Sequence, residues 1–201
     1  MRFIGADPDL HTLSLAAVDE NSVLRGVLVV KNLKGLTGRP AALGLIGQLV
    51  SCGDRFPWLD DPVAAMAVES QEISYTAQSG ANPRSLLLLA PISGALVFLG
   101  NLLEAEEVYL PAPQAWKGSV KKQAHHKRIF GRIGWECQEK AGYCCPAPGY
   151  EANLDYIKCF NGKLNPGDWK HITDSVGLAL WAKAEYDKTK KKEKVLSGTT
   201  T

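Results

Sequence analysis

Four side chains that could bind a metal ion or move a proton lie where predicted elements begin or end. Asp7 closes the apolar stretch MRFIGADP, and Glu69 closes a second one, DDPVAAMAVES. His171 and Asp174 lie near the start of a predicted helix in NPGDWKHITDSVGLALWAKA. Residues three apart share one face of a helix, so this pair points the same way and needs a partner from another element.

Convergence of these four groups would require a cation. Crowded carboxylates repel one another unless a positive charge joins them. Hard oxygen ligands select Mg²⁺ or Mn²⁺ over zinc, and two such ions roughly 4 Å apart suit hydrolysis of a phosphodiester. Taken singly, each residue has an ordinary explanation as a turn, cap or surface group. The set predicts a metal site if the fold brings its members together.

The elements that must position these residues follow a definite order. Three predicted strands form an antiparallel meander in the first 30 residues, and strands and helices then alternate. A helix begins at Arg39-Pro40, a buried strand ends at Glu69, and a helix runs from Asn82 to Leu99. EEVYLPAP is a strand, Ser119 caps a helix to about Arg132, and a last helix carries His171.

This order predicts an α/β fold with the ribonuclease H-like architecture: a mixed five-stranded sheet, made of the meander plus parallel strands, flanked by helices. If strands one and four are neighbours, Asp7 and Glu69 lie side by side. We predict one nuclease domain over residues 1–186, with a Cys/Gly/Pro-rich loop or insertion at about 135–166. Residues 187–201 form a basic, flexible tail.

At these residues the chain resembles RuvC-like Holliday junction resolvases. IGADP is similar to the first catalytic strand of that family, AVES to the second acidic strand, and HITDSVGLALWA to the closing metal-binding helix. The resemblance implies that Asp7, Glu69, His171 and Asp174 are catalytic and hold two Mg²⁺ or Mn²⁺ ions. It also implies an endonuclease that nicks four-way DNA junctions symmetrically, leaving 5′-phosphate and 3′-hydroxyl ends.

A basic stripe follows the fifth predicted strand. Lys121, His125, Arg128 and Arg132 recur at one-face helical spacing, with Lys122 and His126 alongside. Such a stripe neutralises phosphates without reading bases, although an ordinary solvated helix face has the same pattern. The resemblance favours DNA binding and implies that Lys117, with Lys121 or Lys122, holds the cleaved phosphate and the junction arms.

Two positions depart from the family pattern. Asp9 stands where the family usually has Gly, so it is either an extra carboxylate near the metals or, as we favour, a turn residue. The resolvases commonly carry an aromatic wedge three residues after the second carboxylate, and here that residue is Glu72, with Tyr75 the nearest aromatic. The family also implies a homodimer through the helix from Asn82 to Leu99, although core packing explains the same composition.

Composition agrees with a globular protein of the cytoplasm, of bacterial or viral origin. The chain has 201 residues, 45% hydrophobic and 22% charged, with no signal peptide pattern. The apolar run from residue 86 to residue 99 contains Pro91 and is short for a membrane span. Five cysteines without a secretion signal predict reduced, unpaired thiols. Zinc is a weaker reading for Cys137, Cys144, Cys145 and Cys159, because they contain no CxxC pair.

Other functions remain open at this level. A ribonuclease H-like nuclease acting on RNA-DNA hybrid or other branched DNA fits the same residues, and a non-catalytic nucleic-acid-binding module fits the fold. A sugar-kinase or actin-like ATPase needs a duplicated domain with a second glycine-rich phosphate loop, and the sequence has no internal repeat.

Overall fold

The computed structural model describes residues 1–52, 61–70, 83–140, 143–150 and 154–198. Its strands are β1 (Arg2–Asp7), β2 (Thr12–Asp19), β3 (Leu24–Lys31), β4 (Val63–Val68), β5 (Glu107–Tyr109), β6 (Cys137–Lys140), β7 (Tyr143–Pro146) and β8 (Tyr156–Phe160). Its α-helices are α1 (Gly38–Cys52), α2 (Pro83–Leu102), α3 (Pro113–Lys117), α4 (Lys122–Arg132) and α5 (Trp169–Leu196).

Six strands form one mixed sheet in the order β5-β4-β1-β2-β3-β8. Strands β1, β2 and β3 are an antiparallel meander, whereas β4 runs parallel to β1 and β5 runs parallel to β4. This confirms the predicted α/β architecture with a meander plus parallel strands. It also confirms that strands one and four are neighbours.

Both faces of the sheet are covered. On one face, Phe3 and Val29 pack with Leu178 of α5, and on the other, Ile4 and Leu28 pack with Leu45 of α1 and with α2. Every residue of β4 is buried. A strand that is buried on both faces is uniformly apolar, as the sequence VAAMAV is, because neither face meets water.

Helix α5 crosses β1, β2 and β4 on the face opposite α1 and α2. It follows a 3-10 turn, Pro166–Asp168, in which Asn165 and Asp168 satisfy each other's backbone N–H groups as a capping box. The helix continues to Leu196, so the lysine run that begins the predicted tail is helical. The limits of the single predicted domain stay a prediction.

The segment predicted as a long loop or a small insertion contains strands, so the loop prediction is wrong, whereas the insertion stays a prediction. β6 and β7 form a separate two-stranded hairpin, and β8 joins the main sheet parallel to β3, which makes six strands rather than five. The conformation of β8 depends on its pairing with β3. The residues of β8 are only half-buried or exposed, so their sequence carries only a weak strand pattern.

The cysteine prediction is wrong for one pair. Cys137 and Cys144 form a disulfide between β6 and β7, because the antiparallel hairpin places their Cα atoms 5.8 Å apart. Cys145 is buried and Cys159 is half-buried. Across the described ranges, no helix is long and apolar enough to cross a membrane.

Gly5 lets α5 approach the sheet. A Cβ atom at Gly5 would lie 1.9 Å from the carbonyl oxygen of Ser175 and 2.4 Å from the backbone nitrogen of Ala179. Both are backbone atoms, which cannot move aside as the end of a flexible side chain can. The close contact of β1 and α5 therefore requires glycine at this position.

We predict that Gly5→Ala lowers the free energy of unfolding by about 3 kcal/mol or more, since the methyl group overpacks a backbone contact. Urea denaturation followed by circular dichroism measures the change. Gly47→Ala is the matched control, because a Cβ there meets nothing within 4 Å, and we expect it to stabilise helix α1 by about 0.5–1 kcal/mol. Equal effects of the two substitutions would contradict the prediction.

Candidate functional site

Asp7 and Glu69 lie side by side at one edge of the sheet. β1 and β4 are parallel, Ala6 is opposite Val68, and the backbone N–H of Glu69 donates to the carbonyl oxygen of Ala6 over 3.1 Å. Each residue is only 8% exposed. The carboxyl ends of two neighbouring parallel strands therefore place two buried acids next to each other.

The first turns of α5 lie over this edge. Ser14 of β2 donates its hydroxyl to the carbonyl oxygen of His171 over 2.7 Å and is 3.1 Å from the hydroxyl of Ser175. These bonds fix the helix so that His171 Nδ1 lies 2.8 Å from Asp7 Oδ2. The helix thus brings the imidazole to the carboxylate of β1.

Asp174 lies one turn further along α5 and is almost fully buried. His126 Nε2 of α4 is 3.0 Å from its Oδ1, and the Lys122 ammonium is 2.9 Å from its Oδ2. The Lys117 ammonium is 3.6 Å from Oδ2 as well. A buried carboxylate needs such partners, because an unpaired charge in the interior is strongly destabilising.

Lys117 links the acids of the sheet to the acid of the helix. Its ammonium lies 3.1 Å from Glu69 Oε2 and 3.4 Å from Glu69 Oε1, in addition to its contact with Asp174. Lys117 ends the short helix α3, and Gly118 follows with φ of 65°, a left-handed conformation that glycine adopts without strain. The turn at Gly118 lets the chain reverse toward α4.

These contacts shift the pKa values of the acids in opposite directions. Burial, together with the charge of Asp7, raises the pKa of Glu69 from 4.5 to about 7, and Lys117 offsets only part of this increase. Burial acts in the same direction on Asp174, but the hydrogen bond with His126 and the charges of Lys117 and Lys122 lower its pKa below the usual value. Burial disfavours the ammonium of Lys117, yet the charges of Asp174 and Glu69 raise its pKa.

The residues suit a hard divalent cation, although they are not arranged as a closed cage. In the described part of the chain, no three His, Cys, Asp or Glu side chains group closely enough to hold an ion as they stand. Instead, the ammonium of Lys117 lies between Glu69 and Asp174, so the positive charge of a lysine side chain already lies among the carboxylates. The carboxylate oxygens of Asp7, Glu69 and Asp174 are the kind of ligand that Mg²⁺ and Mn²⁺ prefer.

The structure brings together the four predicted catalytic residues and two of the predicted DNA-binding lysines. The predicted basic stripe is interrupted, because Lys121, Arg128 and Arg132 are exposed whereas His125 is buried. His125 packs edge-on against Trp116, with ring centroids 5.1 Å apart. The DNA-binding role of these residues stays a prediction.

Sequence reasoning missed the contact of His126 with Asp174 and placed His126 only beside the stripe. The signal that could have found it is its spacing of four residues from Lys122, which puts both side chains on one helical face. Asp9 is a turn residue, as favoured: its Oδ1 accepts the backbone N–H groups of His11 and Thr12. Glu72 and Tyr75 lie outside the described residues.

No protein-family model and no curated protein matches this chain. A solved structure of Thermus thermophilus RuvC in complex with a Holliday junction substrate matches with a TM-score of 0.56 and 17% identity over 92% of this chain and 94% of that chain. A second structure of RuvC from that organism has the same identity and coverage, with a TM-score of 0.50. The fold is therefore RuvC-like, of the ribonuclease H-like type.

We predict that Glu69→Gln stabilises the metal-free protein at high pH. The pKa of Glu69 is raised in the folded protein, so folding favours its protonated carboxyl. The stabilisation from this protonated form is fully present below pH 4.5 and is lost as pH rises toward 7. The amide of Gln does not ionise and avoids this loss. We expect Glu69→Gln to raise the free energy of unfolding by up to about 3 kcal/mol at pH 8 and not at all at pH 4.

Thermal unfolding with EDTA at both pH values measures this difference. Glu20→Gln, at an exposed carboxylate, is the control and should change little at either pH. A Glu69→Gln protein that is less stable than the parent at pH 8 would show that the negative charge of Glu69 is stabilising, contrary to the prediction.

Proposed function

We propose that the protein is a structure-selective DNA endonuclease that resolves four-way junctions by metal-dependent phosphodiester hydrolysis, giving paired symmetric nicks. The observation that carries the proposal is the convergence of Asp7, Glu69, His171 and Asp174 at one edge of a RuvC-like sheet. The matching RuvC structure holds a Holliday junction substrate, which supports branched DNA as the substrate class. Fold likeness alone does not carry function, so the proposal depends on the residues at this edge.

Asp7, Glu69, His171 and Asp174 would hold two Mg²⁺ or Mn²⁺ ions. When bound, such ions activate a water for attack on phosphorus and stabilise the leaving oxygen. The raised pKa of Glu69 supports this assignment, because a divalent charge would offset both the burial and the neighbouring charge of Asp7 that raise it.

The other residues of the site hold the substrate and its charge. Water adds to phosphorus, the bond from phosphorus to the 3′ oxygen breaks, and the 3′ oxygen takes a proton, which leaves 5′-phosphate and 3′-hydroxyl ends. Lys117 contacts Glu69 and Asp174, and Lys122 contacts Asp174, so their ammonium groups would lie beside the phosphate to be cleaved. His126 orients the carboxylate of Asp174 through its 3.0 Å contact.

DNA outside the cleaved phosphate would contact α4 and its surroundings. Lys121, Arg128 and Arg132 are exposed on this segment, whereas His125 is buried. Contacts from Lys and Arg to phosphates recognise the shape of a backbone without reading bases. This suits an enzyme that selects a branched structure.

A homodimer would present two such sites to the two strands of a symmetric junction. The support for it is an apolar surface on α1 and α2, where Leu43, Val50, Leu87, Phe98 and Leu102 are between 57% and 72% exposed. Exposed apolar groups of this size on neighbouring helices are typical of a subunit interface. The sequence prediction placed the interface on the same helix, α2.

We predict that the protein nicks a synthetic four-way junction in Mg²⁺ or Mn²⁺ and that Asp7→Asn or Asp174→Asn lowers the rate by about 10³-fold or more, the size expected when a main electrostatic contribution is lost. Gel analysis of end-labelled junction, flap and RNA-DNA hybrid substrates measures rate and symmetry. Asp9→Asn is the matched control, because the amide keeps the turn. Cleavage of the hybrid in preference to the junction would overturn the proposed substrate, and uncut substrates of every kind would overturn the nuclease.

We also predict that Mn²⁺ raises the melting temperature at pH 8 relative to EDTA, since an ion that binds only the folded carboxylates stabilises the fold. The increase should disappear in Asp174→Asn and persist in Asp187→Asn, an exposed carboxylate further along α5. Differential scanning calorimetry makes the comparison. An equal increase in both variants would mean that Mn²⁺ binds elsewhere.

A further inference from the structure

A basic cavity lies between α3 and α4, directly beside the carboxylates. It has a volume of about 450 Å³, and its lining includes Trp116, Lys117, His125, Arg128, Ile129 and Arg132. We call it the α3–α4 cavity. Lys117 belongs both to this cavity and to the carboxylate site, because its ammonium contacts Glu69 and Asp174.

Two buried nitrogens of this lining have no hydrogen-bond partner within the described part of the chain. They are Nε1 of Trp116 and Nε2 of His125, and the His125 residue is 8% exposed. Buried polar groups in folded proteins are nearly always paired, so these two nitrogens are available to a polar ligand of the cavity. The indole N–H of Trp116 can only donate.

The charges of the lining indicate an anion. Lys117, Arg128 and Arg132 are cationic, and none of the described residues that line the cavity is acidic. Lys, Arg and Trp side chains are donors without acceptors, and the guanidinium fork matches the oxygens of a phosphate. A nucleobase edge presents donors as well as acceptors, so this lining suits a phosphate better than a base.

We infer that the α3–α4 cavity binds a backbone phosphate of the DNA strand next to the phosphate that is cleaved. The inference rests on the proposed function, because Lys117 ties the cavity to the carboxylates. Arg128 and Arg132 supply the charge, and Trp116 supplies a neutral donor. The cavity thus fixes the path of the strand through the site, which a row of solvated lysines cannot do.

Methylphosphonate scanning tests this inference. The full chain carrying Asp7→Asn, which prevents cleavage, is titrated with junctions that each carry one uncharged methylphosphonate near the cleaved position. We expect one position at which the neutral linkage weakens binding roughly tenfold, the effect of one lost charge-assisted hydrogen bond. In a protein that also carries Arg128→Ala, the same methylphosphonate should lower the binding affinity very little, because both changes remove the same contact.

Two further variants distinguish phosphate binding in the α3–α4 cavity from attraction to the positive charge of the surface in general. Lys127→Ala is the matched control, since Lys127 is an exposed cation on the same helix and is not part of the cavity lining. The methylphosphonate effect should persist fully in this variant. Trp116→Phe keeps a ring in place and removes only the N–H donor, and it should weaken binding of the unmodified junction but not of the one modified at that position.

The outcomes distinguish this inference from the proposed function. Absence of binding to any branched DNA would overturn both. If the protein binds branched DNA but each methylphosphonate position weakens binding equally in Arg128→Ala and Lys127→Ala, the phosphate-binding role of the α3–α4 cavity is overturned and the proposed function is not. Binding of inorganic phosphate that Arg128→Ala abolishes, without a responding position in DNA, would assign the cavity to another anion and also overturn the inference.

Discussion

Three buried carboxylates at one edge of the sheet constrain much of the rest of this structure. Asp7, Glu69 and Asp174 cannot share a poorly solvated site as free anions, because their mutual repulsion and lost hydration would exceed what a domain of this size can tolerate. The protein meets this demand with Lys117, Lys122 and His126, which come from a separate part of the chain. Compensation remains incomplete at Glu69, where burial and, after it, the charge of Asp7 raise the pKa.

Helix α5 connects the acids to the groups that compensate them. On one side it approaches β1 at Gly5, and on the other a Cβ at Gly177 would lie 2.6 Å from both Trp116 and Ile129. The helix is therefore held between the sheet and the α3–α4 segment with little room on either side. A site built on closely packed elements holds its geometry better than one built on loops.

Positive and negative charge lie on different parts of this protein. The net charge of the chain is only +2, yet exposed Lys121, Arg128 and Arg132 lie together beside the acidic edge. The positive charge of this surface is thus local and lies next to the buried carboxylates. The RuvC-like fold is shared at 17% identity, so the functional argument depends on these side chains rather than on the architecture.

The sequence predicted the elements whose pattern is strong and missed those whose conformation depends on a neighbour. Strands β1 to β4 and helices α1, α2 and α5 follow from apolar runs, alternation and caps. Strand β8 was missed because only its pairing with β3 makes it extended, and helix α3 because its five residues carry too little periodicity. The disulfide of Cys137 and Cys144 depends on the hairpin, so spacing alone could not reveal it.

At the site, the sequence by itself determined which acids stand at strand ends and that His171 and Asp174 share a helical face, because both follow from local periodicity. Only the tertiary structure decided that Lys117 lies between Glu69 and Asp174, that His126 contacts Asp174, and that His125 is buried beside Trp116. The ion pairs join residues far apart in the chain, and the geometry of all these contacts depends on how α3 and α4 pack on α5. Local sequence carries no information about that packing.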